Sequence, residues 1–223
     1  DWSSDVCSSD LLFTKALTNL RLTGGGEAGS EAVWDDIIKK LMQKEYTYDV
    51  AHYGPQDEYV KKIAYFYHAS IQGSGAYPGA AETLNGIANR RVLQGLLADG
   101  QCFTAGQIQR CVRKQEPEFT LDSAIKPDLI FLSADRKVRK PAESLFRAAI
   151  ERLAGKGIKP NEVLHVGSNL GRDIAPAKKA GFRTALFAGD KASLAATPEQ
   201  LKDSASRPDL LVTALPQLLD VFD

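Results

Sequence analysis

Residues 164–190, LHVGSNLGRDIAPAKKAGFRTALFAGD, constrain the fold more than any other stretch of this chain. A run of apolar, strand-forming residues at 163–166 breaks at Gly167 into the polar loop SNLGRD, and a short helix is expected from Asp173 until Gly181 stops it. A second strand is expected at once, over 183–187, closing on Gly189 and Asp190. Strand, polar loop, helix and strand is the pattern of a parallel α/β sheet, in which loops at the carboxyl ends of strands carry the chemistry. Any site is therefore expected near residues 168–173.

The rest of the second half repeats this alternation. Tyr77-Pro78-Gly79 opens a helix, residues 91–97 read as a strand, and residues 97–104, LADGQCFT, form the loop after it. A third strand is expected over 128–133, apolar at Leu129, Ile130, Phe131 and Leu132 as a strand covered on both faces should be. The helix predicted from Pro141 to about Leu153 lines up Phe146, Ala149, Ile150 and Leu153 on one face and ends at Gly155. A last strand at 210–213 and a closing helix at 215–222 complete an α/β reading, with no internal repeat.

The first third reads differently. Trp34, Ile37, Ile38 and Leu41 recur at helical spacing within 31–45, and Val60, Ile63, Ala64 and Tyr67 do so in a helix beginning at Pro55. GGGEAG before Ser30 has the look of a phosphate-binding loop, but it lacks the lysine and the preceding strand, so a linker with Ser30 as helix cap is the reading kept. His52 and His68 have no Cys, Asp or His partner at ligand spacing, and the aromatic neighbours of His68 point to packing. Tyr53, Tyr65 and Tyr67 are candidates to line a pocket.

Composition narrows the function classes. In 223 residues, Lys plus Arg and Asp plus Glu are both 28, so no field of one sign recommends nucleic acid or an anionic membrane as partner. No apolar run approaches a bilayer span. The three cysteines form no CxxC pair, which argues against a disulfide framework or zinc site and favours a reducing cytoplasm.

Two stretches carry a resemblance to a known family. Gly167 followed by Asp173 and a helix ending in AGF is similar to the fourth motif of the haloacid dehalogenase-like (HAD) hydrolases, with Ser168 where that motif has its first acidic residue. Residues 133–141, SADRKVRKP, resemble the third motif, with Lys140-Pro141 in the place of its Lys-Pro. The resemblance covers residues 77–223 and implies a Rossmann-like parallel sheet with an inserted α-helical cap: a cap over 12–76 and a core over 77–223.

The resemblance also implies roles. Lys140 would supply the fixed positive charge of phosphoryl transfer, with Lys137 a weaker candidate; a surface lysine at a helix start is the plain alternative. Asp173 would hold Mg2+, or it is simply a helix N-cap. Ser168 offers only a hydroxyl, so metal affinity should fall. The second motif's Ser or Thr position is Ala98, with Asp99 beside it and Thr104 able to compensate or merely to cap the next helix. Ser168 and Asn169 loosely resemble the loop of metal-independent dehalogenases, so Asp99, Ser168 and Asn169 are the substrate-binding candidates.

Residues 1–11, DWSSDVCSSDL, resemble a translated sequencing adapter and are set aside, so Asp5, Cys7 and Asp10 should carry no function. Leu11-Leu12-Phe13 stands where residues just after the family's first motif would be, which implies that the first strand and its nucleophilic Asp are missing. The expectation is a hydrolase of a small phosphorylated or halogenated metabolite whose present fragment is inactive. A non-catalytic binding module is the alternative that Ala98 and Ser168 motivate.

Overall fold

The computed structural model describes residues 2–24, 27–43, 47–71, 73–191 and 194–222, and of residues 2–10 and Ile71 only the backbone. The side chains of Asp5, Cys7 and Asp10, and all of Glu45, lie outside the described residues. In chain order the elements are α1 (Trp2–Gly24), α2 (Ser30–Met42), α3 (Val50–Tyr53), α4 (Gln56–Ile71), α5 (Ala80–Asn89), β1 (Gln94–Ala98), α6 (Thr104–Val112) and α7 (Leu121–Ala124). There follow β2 (Ile125–Leu132), α8 (Ser133–Arg136), α9 (Glu143–Ala154), β3 (Leu164–Gly167), a π-helical turn (Leu170–Ile174), α10 (Ala175–Lys179), β4 (Arg183–Phe187), α11 (Pro198–Lys202), β5 (Leu210–Val212) and a 3-10 helix (Leu215–Phe222). The mixed α/β class expected from the sequence is the one observed, and among the described residues the strands pair in parallel.

The chain forms two compact units: Asp1–Ser74 with Gly100–Thr104 and Ser133–Val138, and Gly75–Asp99 with Ala105–Leu132 and Arg139–Asp223. The first is built on α1, α2 and α4, whose apolar stripes meet in a core of Phe13, Ala16, Val33 and Ile37. The Phe13 ring lies 4.6 Å from that of Tyr67 and 5.8 Å from that of Trp34. Ser30 does not cap α2 with its side chain, as expected; Gly29 is the N-cap residue, and the Ser30 hydroxyl instead lies 2.9 Å from His68 Nε2. Ring contacts to Phe13, Tyr67 and Phe103 surround His68, and burial lowers its pKa. The Thr104 hydroxyl accepts the Gln101 N–H at 2.8 Å, so it is used locally in the loop before α6.

The second unit holds two parallel sheets, β1 with β2 and β3–β4–β5. β1 starts at Gln94 rather than at Arg91, because Arg91 is left-handed (φ 60°) and bonds back to Ala88, completing the end of α5. β2 begins earlier than expected, at Ile125, and carries Pro127; the pairing slips between Gln94 and Leu96, and an edge strand with an irregular register tolerates a proline. α9 starts at Glu143, not Pro141, because Ala142 remains extended (ψ 123°). Helix α5 packs on the cores of both sheets: Ala81 joins Val112, Phe119, Leu121 and Ile125, with Leu96 and Ile130 against them, while Ile87 joins Ala185, Phe187 and Val212, with Leu164 against them. Helix α9 packs on β1 and β2, and its Phe146 ring meets that of His165 on β3 at 5.6 Å.

Candidate functional site

At the carboxyl end of β3 the chain makes its π-helical turn, and the expected helix start at Asp173 is displaced upstream by it. The capping residue is Asn169, whose Oδ1 accepts the Arg172 N–H at 2.9 Å. Asp173 is thereby freed from the N-cap role and turned inward, 7% exposed. Its Oδ2 accepts the Asn169 N–H at 3.0 Å, and its Oδ1 takes the Lys140 ammonium at 2.5 Å. Gly167 makes this possible, since a Cβ there would sit 2.4 Å from the Cβ of Asp173. The glycine of the motif is a matter of space rather than of φ.

Lys140 reaches this carboxylate from the loop before α9, three residues ahead of the helix. Its backbone N–H donates to Asp99 Oδ1 at 2.8 Å, which ties the loop after β1 to the same cluster. Asp99 is also ion-paired through Oδ2 to Arg172. The four side chains Lys140, Arg172, Asp99 and Asp173 thus form a closed arrangement with two charges of each sign. Three of them are largely shielded, Lys140 at 14% and Asp99 and Asp173 at 10% side-chain exposure. An ion pair so far from water depends on its geometry to offset desolvation, and these groups have it.

The sequence candidates thus divide. Lys140, Asp173, Asp99 and the backbone of Asn169 come together. Ser168 contributes its carbonyl, which accepts the Ala195 N–H at 3.0 Å. Lys137 falls in the first unit, where its carbonyl accepts the Glu27 N–H at 2.9 Å. Two residues escaped sequence reasoning: Arg172, which stood inside the loop SNLGRD as its only cation, and His165, whose strand position gave no sign of a polar role. The Nε2 of His165 is buried without a hydrogen-bond partner, and burial pushes its pKa down to about 4. A cleft of about 570 Å³ opens beside the cluster, bounded by Pro141, Gly171, Pro176 and Lys179.

The donor set does not by itself hold a metal ion. Among the described residues no group of three or more His, Cys, Asp and Glu side chains could do so. Asp173 has one oxygen on an ammonium and the other on a backbone N–H, Asp99 faces Arg172 and Lys140, and Ser168 is neutral. A hard divalent cation needs several oxygen ligands, and the two carboxylates of the cluster, Asp99 and Asp173, are both taken up by cations and backbone N–H groups.

Residues 137–218 match the model of the HAD-hydrolase-like family. A glyceraldehyde 3-phosphate phosphatase of Pyrococcus furiosus is 29% identical over 146 residues, 66% of this chain and 54% of the relative. An (S)-2-haloacid dehalogenase of Burkholderia cepacia is 33% identical over 109 residues, 49% of this chain and 42% of the relative. The chain therefore spans about half the length of the curated relatives it matches. The HAD-hydrolase YfnB of Bacillus subtilis, bound to magnesium, shares the fold with a TM-score of 0.53 at 17% identity, over 98% of this chain and 83% of that one. No helix among the described residues is long and apolar enough to cross a membrane.

Proposed function

From a chain with the HAD-like fold and a match to that hydrolase family over residues 137–218, we propose a HAD-like hydrolase that acts on a small phosphorylated metabolite through an aspartyl-phosphate. On this reading residues 12–76 are the cap and residues 77–223 the core. The single observation that carries it is the Lys140 ammonium held 2.5 Å from Asp173 at the carboxyl ends of parallel strands. A fixed cation there is what an anionic substrate and a carboxylate nucleophile need to approach each other. The phosphatase of Pyrococcus furiosus supports the same choice.

Each residue of the cluster has a task in this scheme. Asp173 positions the Lys140 ammonium, the Asn169 N–H fixes the Asp173 carboxylate, and Asp99 anchors the backbone of Lys140. Magnesium dependence would rest on a further carboxylate that these residues do not supply, so no step is routed through a metal. A halogenated metabolite is the second reading, favoured by the neutral Ser168 and by the dehalogenase of Burkholderia cepacia. Non-catalytic binding is the third: Ala98 and Ser168 lack the usual polar groups, and the cluster's charges are already satisfied.

Assay of the protein against phosphorylated and halogenated metabolites, with magnesium and with chelator, separates the three. Magnesium-dependent phosphate release supports the first reading and chelator-insensitive halide release the second. Absence of turnover with every substrate leaves the binding module.

A further inference from the structure

Three tyrosines form a closed group in the first unit, around the turn that joins α3 to α4. The ring centroids of Tyr53 and Tyr59 are 4.9 Å apart, those of Tyr48 and Tyr59 5.7 Å, and those of Tyr48 and Tyr53 5.8 Å. Packed aromatic pairs span about 4.5–7 Å between centroids, so Tyr53 and Tyr59 lie near the short end of that range. Their planes are inclined at 45°, so the two rings do not lie flat on each other. Other tyrosines keep different company: Tyr65 packs with Phe66 and Phe103, Tyr67 with Phe13 and Trp34, and Tyr77 with Phe187.

The local sequence gathers this group. Helix α3 is four residues long and is capped by Asp49, whose Oδ1 accepts the Ala51 and His52 N–H groups at 2.9 and 3.2 Å. It ends at Gly54, left-handed at φ 77°, which turns the chain so that α4 begins two residues on, at Gln56. No residue of α3 is buried, and Tyr53 is 43% exposed. So short a helix has no stability of its own, and the contact of Tyr53 with Tyr59 ties it to α4.

The three phenols differ in what they can give up. The Tyr48 hydroxyl donates to the Gly54 carbonyl at 2.8 Å, and a carbonyl cannot carry a proton away. Among the described residues no protein group bonds the hydroxyl of Tyr53 or of Tyr59, so water can take the proton from either. Oxidation of a tyrosine removes one electron and the phenolic proton, and the neutral radical that remains carries spin on the ring carbons ortho to the oxygen. The pair with the closest rings is thus also the pair whose protons can leave.

We propose that Tyr53 and Tyr59 are an oxidation site, at which a one-electron oxidant joins the two rings by a carbon–carbon bond and fastens α3 to α4. Each phenol gives one electron to the oxidant and its proton to water. The two radicals combine between ortho carbons, and the hydrogens on those carbons move to the oxygens to restore both phenols. The product has lost two electrons and two protons; persulfate as terminal oxidant takes both electrons as it splits into two sulfates. The bond asks for little movement, because the rings are already in contact. It is independent of the proposed hydrolytic reading.

The test is brief illumination of the whole chain with ruthenium tris-bipyridyl and persulfate, separation of monomer from crosslinked dimer, and digestion with trypsin and a glutamate-specific protease. Residues 45–61 form one tryptic peptide that holds Tyr46, Tyr48, Tyr53 and Tyr59, and cleavage after Glu58 parts Tyr59 from the others unless the rings are joined. The monomer is expected to show dityrosine fluorescence and a Tyr53–Tyr59 link, with the mass of the two pieces less two hydrogens. Tyr53→Phe and Tyr59→Phe should each lower the yield in the monomer at least about tenfold, since phenylalanine keeps the ring packing and lacks the phenol, whereas Tyr48→Phe should retain it. Hydrogen exchange over residues 50–54 should be slower in the linked chain than in the unlinked one. Dityrosine found only in dimers, equal yield in all three variants, a link mapped to Tyr46 or Tyr48, or exchange over residues 50–54 unchanged by the link would each overturn the proposal.

Discussion

His165 should make this protein lose stability as the pH falls. Its imidazole is half-buried beside Phe146, with Nε2 shut away from water and unpartnered, and burial depresses its pKa from 6.5 to about 4; the nearby Asp173 charge works the other way and is outweighed. Between those two values the unfolded chain binds nearly a proton that the folded chain refuses. Stability from this group is therefore complete above about pH 6.5 and is lost as the pH drops through that window, reaching roughly 3 kcal/mol at its lower end. At about pH 5 the loss is roughly 2 kcal/mol, a large fraction of the net stability of an ordinary domain. Urea denaturation of the wild type and of His165→Gln at about pH 7 and about pH 5 isolates the contribution, because the variant keeps every other titrating group. The wild type should lose about 2 kcal/mol more than the variant over that interval. Equal losses, or a larger loss in the variant, would refute the argument that this ring is held neutral by burial.

Three other perturbations test other parts of the molecule. Lys140→Met strands the Asp173 carboxylate with one backbone N–H and should cost about 3 kcal/mol in urea unfolding, whereas the double variant Lys140→Met, Asp173→Leu should recover most of it; the failure of the double variant to recover would show that the pair is not acting as a unit. Gly167→Ala drives a methyl into Asp173 and should destabilise by about 2 kcal/mol, read in the same assay, with no loss if the π-helical turn moves freely. The Cys102 thiol is pushed up to about 11 by burial and then by the Glu31 carboxylate, so about one part in a thousand is thiolate near pH 8. Iodoacetamide labelling followed by peptide mass spectrometry should therefore show Cys102 modified at least tenfold more slowly than a small-molecule thiol, despite its exposed position.

Much of the core was legible because its signals are local. The strand at 183–187 stands where the residues put it, and the one expected over 163–166 is found one residue on, at 164–167, with Gly167 inside it. The errors lie where a contact across the fold decided the local geometry. Asp173 reads as an N-cap until the Lys140 ammonium claims its carboxylate, and the cap falls to Asn169. Ser30 reads as a cap until His68, thirty-eight residues on, takes its hydroxyl. Arg172 was hidden for the same reason, since its partner Asp99 stands seventy-three residues away. His165 looked like an ordinary strand residue because alternation alone cannot tell a ring facing water from one facing Phe146.

The division of the strands into two sheets bears on how this unit folds. β1 and β2 lie within residues 94–132, and β3, β4 and β5 within residues 164–212, so each sheet closes with its own helices over a modest stretch of chain. Loop-closure entropy is small for such pairings, and both sheets can form early and independently. They are joined by α5, which gives its two ends to different cores, by the Phe146–His165 contact and by the ion pairs Asp99–Arg172 and Lys140–Asp173. Refolding should therefore show two fast phases of sheet formation and a slower one of docking, with the docking rate governed by Ala81 and Ile87 and the sheets almost indifferent to them.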